Sequence, residues 1–272
     1  DAIAVTRGPG LMGALLVGMT YAKSLAYALE IPFVGVNHLE GHMCSIFLEH
    51  PKAEIPSLAL VVSGGHTSMF YLETPTRYEE ISKTRDDAAG EALDKLSKYL
   101  GLGYPGGPVI DQLASDGDPL SIPFTIPKIS DGSLDFSFSG IKAAALRYIH
   151  KHNILPLTTQ DTPSSKQVPQ QILDLISSYQ NSIIDQLLTR LEQALKLRKV
   201  KAIHLSGGVS CNSELRRRST TFFKKHNLPV YYPSPRLTTD NAAMIAAAGA
   251  LRLREGLSDP WDLTVEPNLK LG

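Results

Sequence analysis

A chain of 272 residues that is 43% hydrophobic and 20% charged has an ordinary globular make-up, long enough for one large core or two lobes, which excludes the disordered and fibrous classes. Its 27 Lys and Arg balance its 27 Asp and Glu, so no net charge draws it to nucleic acid or to an anionic membrane, and any RNA contact has to be local or shared with a partner. The two cysteines, Cys44 and Cys211, lie far apart and outside any CxxC, which gives no disulfide framework, fits a reducing compartment and marks both as small buried hydrophobes.

In chain order, short β-branched runs at 2–5, 33–36, 58–62, 68–72, 202–205 and 230–232 read as strands and alternate with helical patterns, the signature of an α/β fold. The run 12–29 is almost wholly apolar and is expected to be a buried helix. The longest charge-free run in this region, 8–22, is shorter than the roughly 20 apolar residues that cross a bilayer, so no transmembrane segment is expected. Ile172, Ile176, Tyr179, Ile183, Leu187 and Leu191 recur at helical spacing and predict a long amphipathic helix packed on the core. Segments 115–137 and 155–169, rich in Pro, Gly, Asp and Ser, read as extended loops or insertions rather than domain linkers.

The chemistry begins at His38-Leu39-Glu40-Gly41-His42. Two histidines four apart on a helix point the same way and can hold one metal ion between them. In the His-Glu-x-x-His metalloprotease motif, the glutamate beside the first histidine serves as general base. Here it sits one place later, and at about 100° per residue Glu40 lies roughly 200° from either histidine. The spacing therefore favours a metal site and disfavours a peptidase.

Four glycine-rich turns follow strands or open helices: Gly8-Pro9-Gly10, Ser63-Gly64-Gly65-His66-Thr67, Tyr104-Pro105-Gly106-Gly107-Pro108 and Ser206-Gly207-Gly208-Val209-Ser210-Cys211-Asn212. Glycine pairs after a strand let backbone N–H groups approach an anion or a nucleotide closely, although each alone is as compatible with a tight turn. The second Ser-Gly-Gly suggests a duplicated nucleotide-binding lobe. None matches the Walker loop or GxGxxG.

Seven motifs in order carry a resemblance: 37–42, Val61 to Thr67, Asp86-Asp87-Ala88-Ala89-Gly90-Glu91-Ala92-Leu93-Asp94-Lys95, Tyr104 to Pro108, Asp135-Phe136-Ser137-Phe138-Ser139-Gly140, Gly207-Gly208-Val209 with Asn212, and Thr239-Asp240-Asn241. Together they resemble the universal tRNA threonylcarbamoyladenosine (t6A) transferases of the bacterial TsaD type, formerly labelled O-sialoglycoprotein endopeptidases. The likeness runs from the first residue to about Asn268.

The resemblance implies an α/β actin/Hsp70-like (ASKHA) fold of two lobes with the ligand in the interlobe cleft. Its first lobe would comprise 1–57 with 255–272, carry the paired histidines and lack an N-terminal segment; the second would comprise 58–254. Matched position by position, His38, His42 and Asp240 would hold one divalent iron or zinc ion per subunit. Val61, Val62, Ser63, Gly64, Gly65, Asp94, Gly107, Asp111 and Asn212 would contact the substrate, with Asp111 suited to a ribose diol. From the residues alone, Asp240 would equally be a helix N-cap, and Asp94 and Asp111 solvated helix residues. His66 would stand behind the metal ligands or touch substrate.

The implied activity is that of an acyltransferase moving threonylcarbamoyl from threonylcarbamoyl-AMP to N6 of the adenosine beside the anticodon, position 37, of tRNAs reading ANN codons. No nucleophilic serine or cysteine is needed, and no general base is assigned. The implied partners are tRNA, an adenine nucleotide or adenylate, and TsaB- and TsaE-type subunits or a second copy, with no membrane. The expected compartment is the cytoplasm, a mitochondrial presequence on the missing segment being the alternative. Two rivals remain: a metal-dependent glycopeptidase and a catalytically incomplete ATP-binding scaffold. Arg216-Arg217-Arg218 with Lys224-Lys225 is the densest basic cluster and reads either as a tRNA contact or as a solvated helix face.

Overall fold

The computed structural model describes residues 1–127, 129–157 and 163–271. Strands β1 (Ile3–Gly8) and β2 (Phe33–Asn37) pair in parallel, joined by helix α1 (Met12–Ala28). A second sheet contains β3 (Ser57–Val62), β4 (Thr67–Thr74), β5 (Arg77–Lys83), β6 (Ala202–Ser206) and β7 (Val230–Tyr231) in the order β5-β4-β3-β6-β7. Within it β3, β6 and β7 run parallel, while β4 and β5 fold back as antiparallel strands.

The central strand β3 is apolar on both faces because both are covered. Leu58, Leu60 and Val62 point into the main core, built with α3 (Ala89–Tyr99), α4 (Gly106–Ala114), α5 (Ser139–Lys151) and α6 (Gln170–Leu195). Ala59 and Val61 point the other way, onto Leu39 and Met43 of α2 (His38–Glu49). Helix α2 thus lies between the two sheets. On α6 every residue of the anticipated stripe is buried, and the Tyr179 hydroxyl donates to Ala92 O at 3.0 Å, giving its one polar atom a partner inside the core.

Two readings need correction. Helix α1 is not buried: only Leu15, Met19, Ala22 and Ala26 face inward, while Leu16, Val17, Tyr21 and Tyr27 are exposed. A two-stranded sheet has room for one stripe of a helix, so an all-round apolar composition did not translate into all-round burial. Strand β5 was not anticipated, because Arg77-Tyr-Glu-Glu-Ile-Ser-Lys83 is a charged edge strand, and charge is how open sheet edges are protected from pairing. Helix α9 (Ala242–Arg254), which follows α7 (Ser213–Lys224) and the short α8 (Pro235–Thr238), packs Met244, Ile245 and Ala248 against Val34, Val36 and Cys44. By packing it groups with the two-stranded sheet. The segment after it follows the same sheet, Gly35 N donating to Asp259 at 2.8 Å.

The loop expected at 115–137 is irregular over its described residues. That at 155–169 lies partly outside the described residues; within it Ser165–Gln167 forms a short 3₁₀ turn.

Candidate metal centre and adjoining cleft

Two capped helix N-termini build the centre. His38 is the first residue of α2, whose N-cap Asn37 accepts from Leu39 N at 2.9 Å. His42 follows one turn later and is fully buried. On the other side the N-cap of α9 is Asn241, accepting from Met244 N at 2.9 Å. The capping alternative for Asp240 therefore fails: its neighbour does that work, and the Asp240 carboxylate is free to face the histidines.

Asp240 Oδ1 lies 3.4 Å from His38 Nε2 and 3.2 Å from His42 Nε2. One ligand atom from each of the three residues falls within 4.8 Å of the others. Both ring nitrogens of His42 are buried without a hydrogen-bond partner, the close approach of Asp240 lacking hydrogen-bond geometry. An orphaned polar atom of this kind costs about 1–3 kcal/mol, a penalty that ligation would remove. Two imidazoles and one carboxylate, with coordination positions left over, suit a borderline divalent metal in a reactive rather than a closed structural site. The imidazoles, His38 foremost, hold the Asp240 carboxyl well below the usual carboxylate range.

Glu40 turns away, as its spacing requires. Its carboxylate is 2% exposed and meets Arg252 Nη1 at 3.1 Å on the α9 side; burial pushes its pKa up, against the pull of Arg252. His66 sits with its ring centroid 6.1 Å from that of His38, outside the group of three ligand atoms. Burial, assisted by the charges of His38 and His42, lowers its pKa.

A cleft of about 820 Å³ opens beside Asp240, within the 300–1,000 Å³ typical of sites for small ligands. Ser63, Gly64, Asp94, Gly107, Asp111 and Asn212 line it, whereas Val61 and Val62 are buried in β3 and Gly65 lies in the turn behind. Close backbone approach shapes its floor. Gly207, with φ of 85°, passes Val62 so tightly that a side chain would collide with backbone. Gly90 N donates to Ser63 O at 3.3 Å, and a Cβ there would lie 2.5 Å from the same oxygen. The Gly8-Pro9-Gly10 turn is elsewhere, Gly10 N donating to Pro267 O.

The polar residues of the cleft also hold it together. Asp94 Oδ1 accepts from Gly106 N at 2.8 Å, at the start of α4. Asp111 accepts from both Ser213 N and Ser213 Oγ at 2.9 Å, at the start of α7 (Ser213–Lys224). Asn212 caps α7 through Leu215 N and donates to Gln180 Oε1 at 2.7 Å. Neither aspartate is a merely solvated helix residue. Sequence reasoning missed Gly90, Leu93, Gln112, Ser115, Ser213 and Thr239 in the lining, and did not assign a role to Tyr104 or Pro105; Gly90, Leu93, Tyr104, Pro105 and Thr239 sat in motifs that could have flagged them, whereas Gln112, Ser115 and Ser213 did not.

The basic cluster is largely engaged within the chain. Arg216 donates to Ser210 O and Pro233 O and stacks on Tyr232, 4.3 Å from the ring centroid. Arg217 pairs with Glu214, and Arg218 with Asp185 and Asn181.

The model of the TsaD family, tRNA N6-adenosine threonylcarbamoyltransferase, matches residues 1–247. The chain belongs to this family of acyltransferases. It is 45% identical over 272 residues to the tRNA N6-adenosine threonylcarbamoyltransferase of Clostridium perfringens (strain SM101 / Type A), covering all of this chain and 77% of that protein. The enzyme of the same name from Koribacter versatilis (strain Ellin345) is 43% identical over 304 residues, covering all of this chain and 80% of its relative. Among solved structures, HypF of T. kodakarensis superposes with a TM-score of 0.65 at 15% identity, over 94% of this chain and 41% of that one, a likeness of fold alone.

Proposed function

We propose that this chain transfers threonylcarbamoyl from threonylcarbamoyl-AMP to N6 of adenosine 37, beside the anticodon, in tRNAs that read ANN codons. The observation that carries the reading is the convergence of His38, His42 and Asp240 at the edge of a cleft lined by the two Ser-Gly-Gly turns, in a chain of the threonylcarbamoyltransferase family. The proposed architecture is an actin/Hsp70-like (ASKHA) pair of lobes with this cleft between them.

In the reaction the N6 amine forms a bond to the carbamoyl carbon, the bond from that carbon to the phosphate oxygen breaks, AMP departs with the electron pair, and the amine proton passes to solvent. His38, His42 and Asp240 would hold one iron or zinc ion. When bound, the ion supplies Lewis acidity that orients the donor and polarises its oxygen atoms. The chain's own groups bind and align. The 63–64 and 207–208 turns present backbone to the nucleotide, and Asp111, with two of about four acceptor positions used by Ser213, keeps capacity for a ribose hydroxyl. Alignment of this kind is worth several kcal/mol of barrier by itself.

Neither rival gains support. Glu40 is tied to Arg252, so the peptidase lacks its base. Ser63 Oγ accepts from the backbone N–H of His66 rather than from an imidazole, and Cys211 Sγ meets Thr238 Oγ1; neither is set up as a nucleophile. TsaB- and TsaE-type subunits or a second copy are the proposed protein partners, and the cytoplasm is the proposed compartment. Among the described residues no helix is long and apolar enough to cross a membrane.

The test is incubation of the metal-loaded chain with tRNA and threonylcarbamoyl-adenylate, alone and with subunits of those types, followed by nucleoside analysis of digested tRNA. Appearance of N6-threonylcarbamoyladenosine is expected. Its absence under both conditions overturns the assignment.

A further inference from the structure

Tyr104 is the large apolar side chain most exposed among the described residues, at 85%, and it lines the cleft. A lone exposed aromatic ring is ordinary on a protein surface; the support beneath this one is not. The backbone on either side is fixed to α3. Ser97 Oγ donates to Gly103 O at 2.9 Å, and Gly106 N donates to Asp94 Oδ1 at 2.8 Å. Ser97 is fully buried, and Gly106 sits so close to it that a side chain would collide. The ring is thus carried on a rigid mount with both faces unused by the chain itself. Pro105, directly after it, also lines the cleft and adds a stiff apolar wall.

From this geometry we propose that Tyr104 is a stacking platform for an adenine ring. The inference rests on the transfer reaction proposed above, which brings two adenines to the cleft, one in the adenylate donor and one in the tRNA acceptor. A planar, electron-rich face held in place loses little conformational freedom on stacking, and base–aromatic stacking tolerates any purine because it uses the π face rather than the edge. The cleft's volume of about 820 Å³ has room for a nucleotide and part of a second base. The ring's chemistry identifies the ligand class; which adenine it receives is what the two arms of the experiment distinguish.

Tyr104→Phe, Tyr104→Leu and Tyr104→Ala are compared with the wild-type chain in two binding measurements: AMP by calorimetry, and tRNA by filter binding or anisotropy at fixed salt. The exposure of the side chain means that all three variants should fold, which thermal unfolding verifies. Stacking predicts that Phe stays within about twofold of wild type while Leu and Ala weaken one ligand about tenfold or more. Weakening confined to AMP places the donor adenine on Tyr104; weakening confined to tRNA places the acceptor adenine there. Unchanged affinity for both ligands in the Ala variant overturns the proposal, as does Leu performing as well as Phe, which would indicate plain apolar contact. Because both arms measure binding, they remain decisive even if wild-type transfer activity is absent and the proposed function fails.

Discussion

Glu40 and Arg252 form an ion pair at 3.1 Å that joins the helix bearing both histidines to the helix that follows Asp240. The carboxylate is almost completely buried and Arg252 is mostly so, with Tyr78 beside them. Removing one partner of such a pair leaves an uncompensated charge in the interior. Arg252→Met should therefore cost about 3 kcal/mol of stability, read from urea unfolding. The double variant Glu40→Gln/Arg252→Met should recover part of that loss, because it removes the stranded charge along with its partner. Losses that simply add would mean that the pair is not coupled.

The same geometry separates metal binding from peptidase chemistry. His38→Ala and His42→Ala should each abolish stoichiometric metal, measured on purified protein by plasma mass spectrometry. Unfolding should stay cooperative, because the core is built by β3, α3 and α6 rather than by the open site. Glu40→Gln should keep its metal, since its carboxylate faces away from the imidazoles, and no glycoprotein cleavage should exist for it to abolish. Full metal occupancy in either histidine variant would remove the centre from consideration.

The shared face of the two histidines was readable in the sequence because a single helix fixes it: a separation of four residues puts His38 and His42 on one face whatever surrounds them. The strands before the two Ser-Gly-Gly turns were legible because each is a short, mostly apolar run that is buried along its whole length. What stayed hidden depended on neighbours far away in the chain. That Asn241, and not Asp240, caps α9 turns on one residue of register. That Asp111 accepts from Ser213 at the start of α7 requires a contact across 102 positions. The exposure of α1 depends on how wide a sheet it covers, and β5 reads as solvated because an edge strand needs charge. The arginine triplet suggested an anion-binding patch only while Asp185, Glu214 and Tyr232 were out of view.

His204 gives the fold a pH dependence. Its ring is buried on β6 against Phe47 and Tyr231, Nδ1 is 3.3 Å from Ser57 Oγ, and burial lowers its pKa to about 4. With an unfolded value near 6.5, the unfolded chain binds the extra proton first. The associated stability is complete above about pH 6.5 and drains away as pH falls towards 4, by an amount on the order of 3 kcal/mol. His204→Gln should flatten this part of the stability profile in denaturant titrations between pH 7 and 4. A wild-type profile that is already flat over that window would show that the imidazole is solvated.

For tRNA, the internal engagement of Arg216 and Arg218 shifts attention to Lys224 and Lys225, which are exposed at the end of α7. Lys224→Glu with Lys225→Glu should weaken tRNA binding and reduce its dependence on salt by roughly one to two counterions. Arg218→Glu should instead lower thermal stability, because it sets a carboxylate against Asp185. Binding measured at two salt concentrations, together with melting curves, separates these effects. Equal salt slopes in the lysine variant and the wild type would place the tRNA elsewhere.

Asp240 offers the sharpest test, because it belongs to the proposed centre without building the turns proposed to hold the nucleotide. Its side chain is 74% exposed, and the helix behind it is capped by Asn241, so Asp240→Ala should leave the fold and the 63–64 and 207–208 turns in place. Affinity for AMP should change by no more than about twofold, since uniform binding of the nucleotide uses none of the metal ligands. Transfer to tRNA should fall by about 100-fold or more, because the interaction lost is one that aligns the threonylcarbamoyl end for attack rather than one that retains the donor. Asp240→Asn, which keeps shape and one oxygen but not the charge, should fall between the two. Parallel losses of AMP affinity and transfer rate across the series would mean that Asp240 organises the cleft as a whole, and the division of labour between metal centre and nucleotide turns would have to be abandoned.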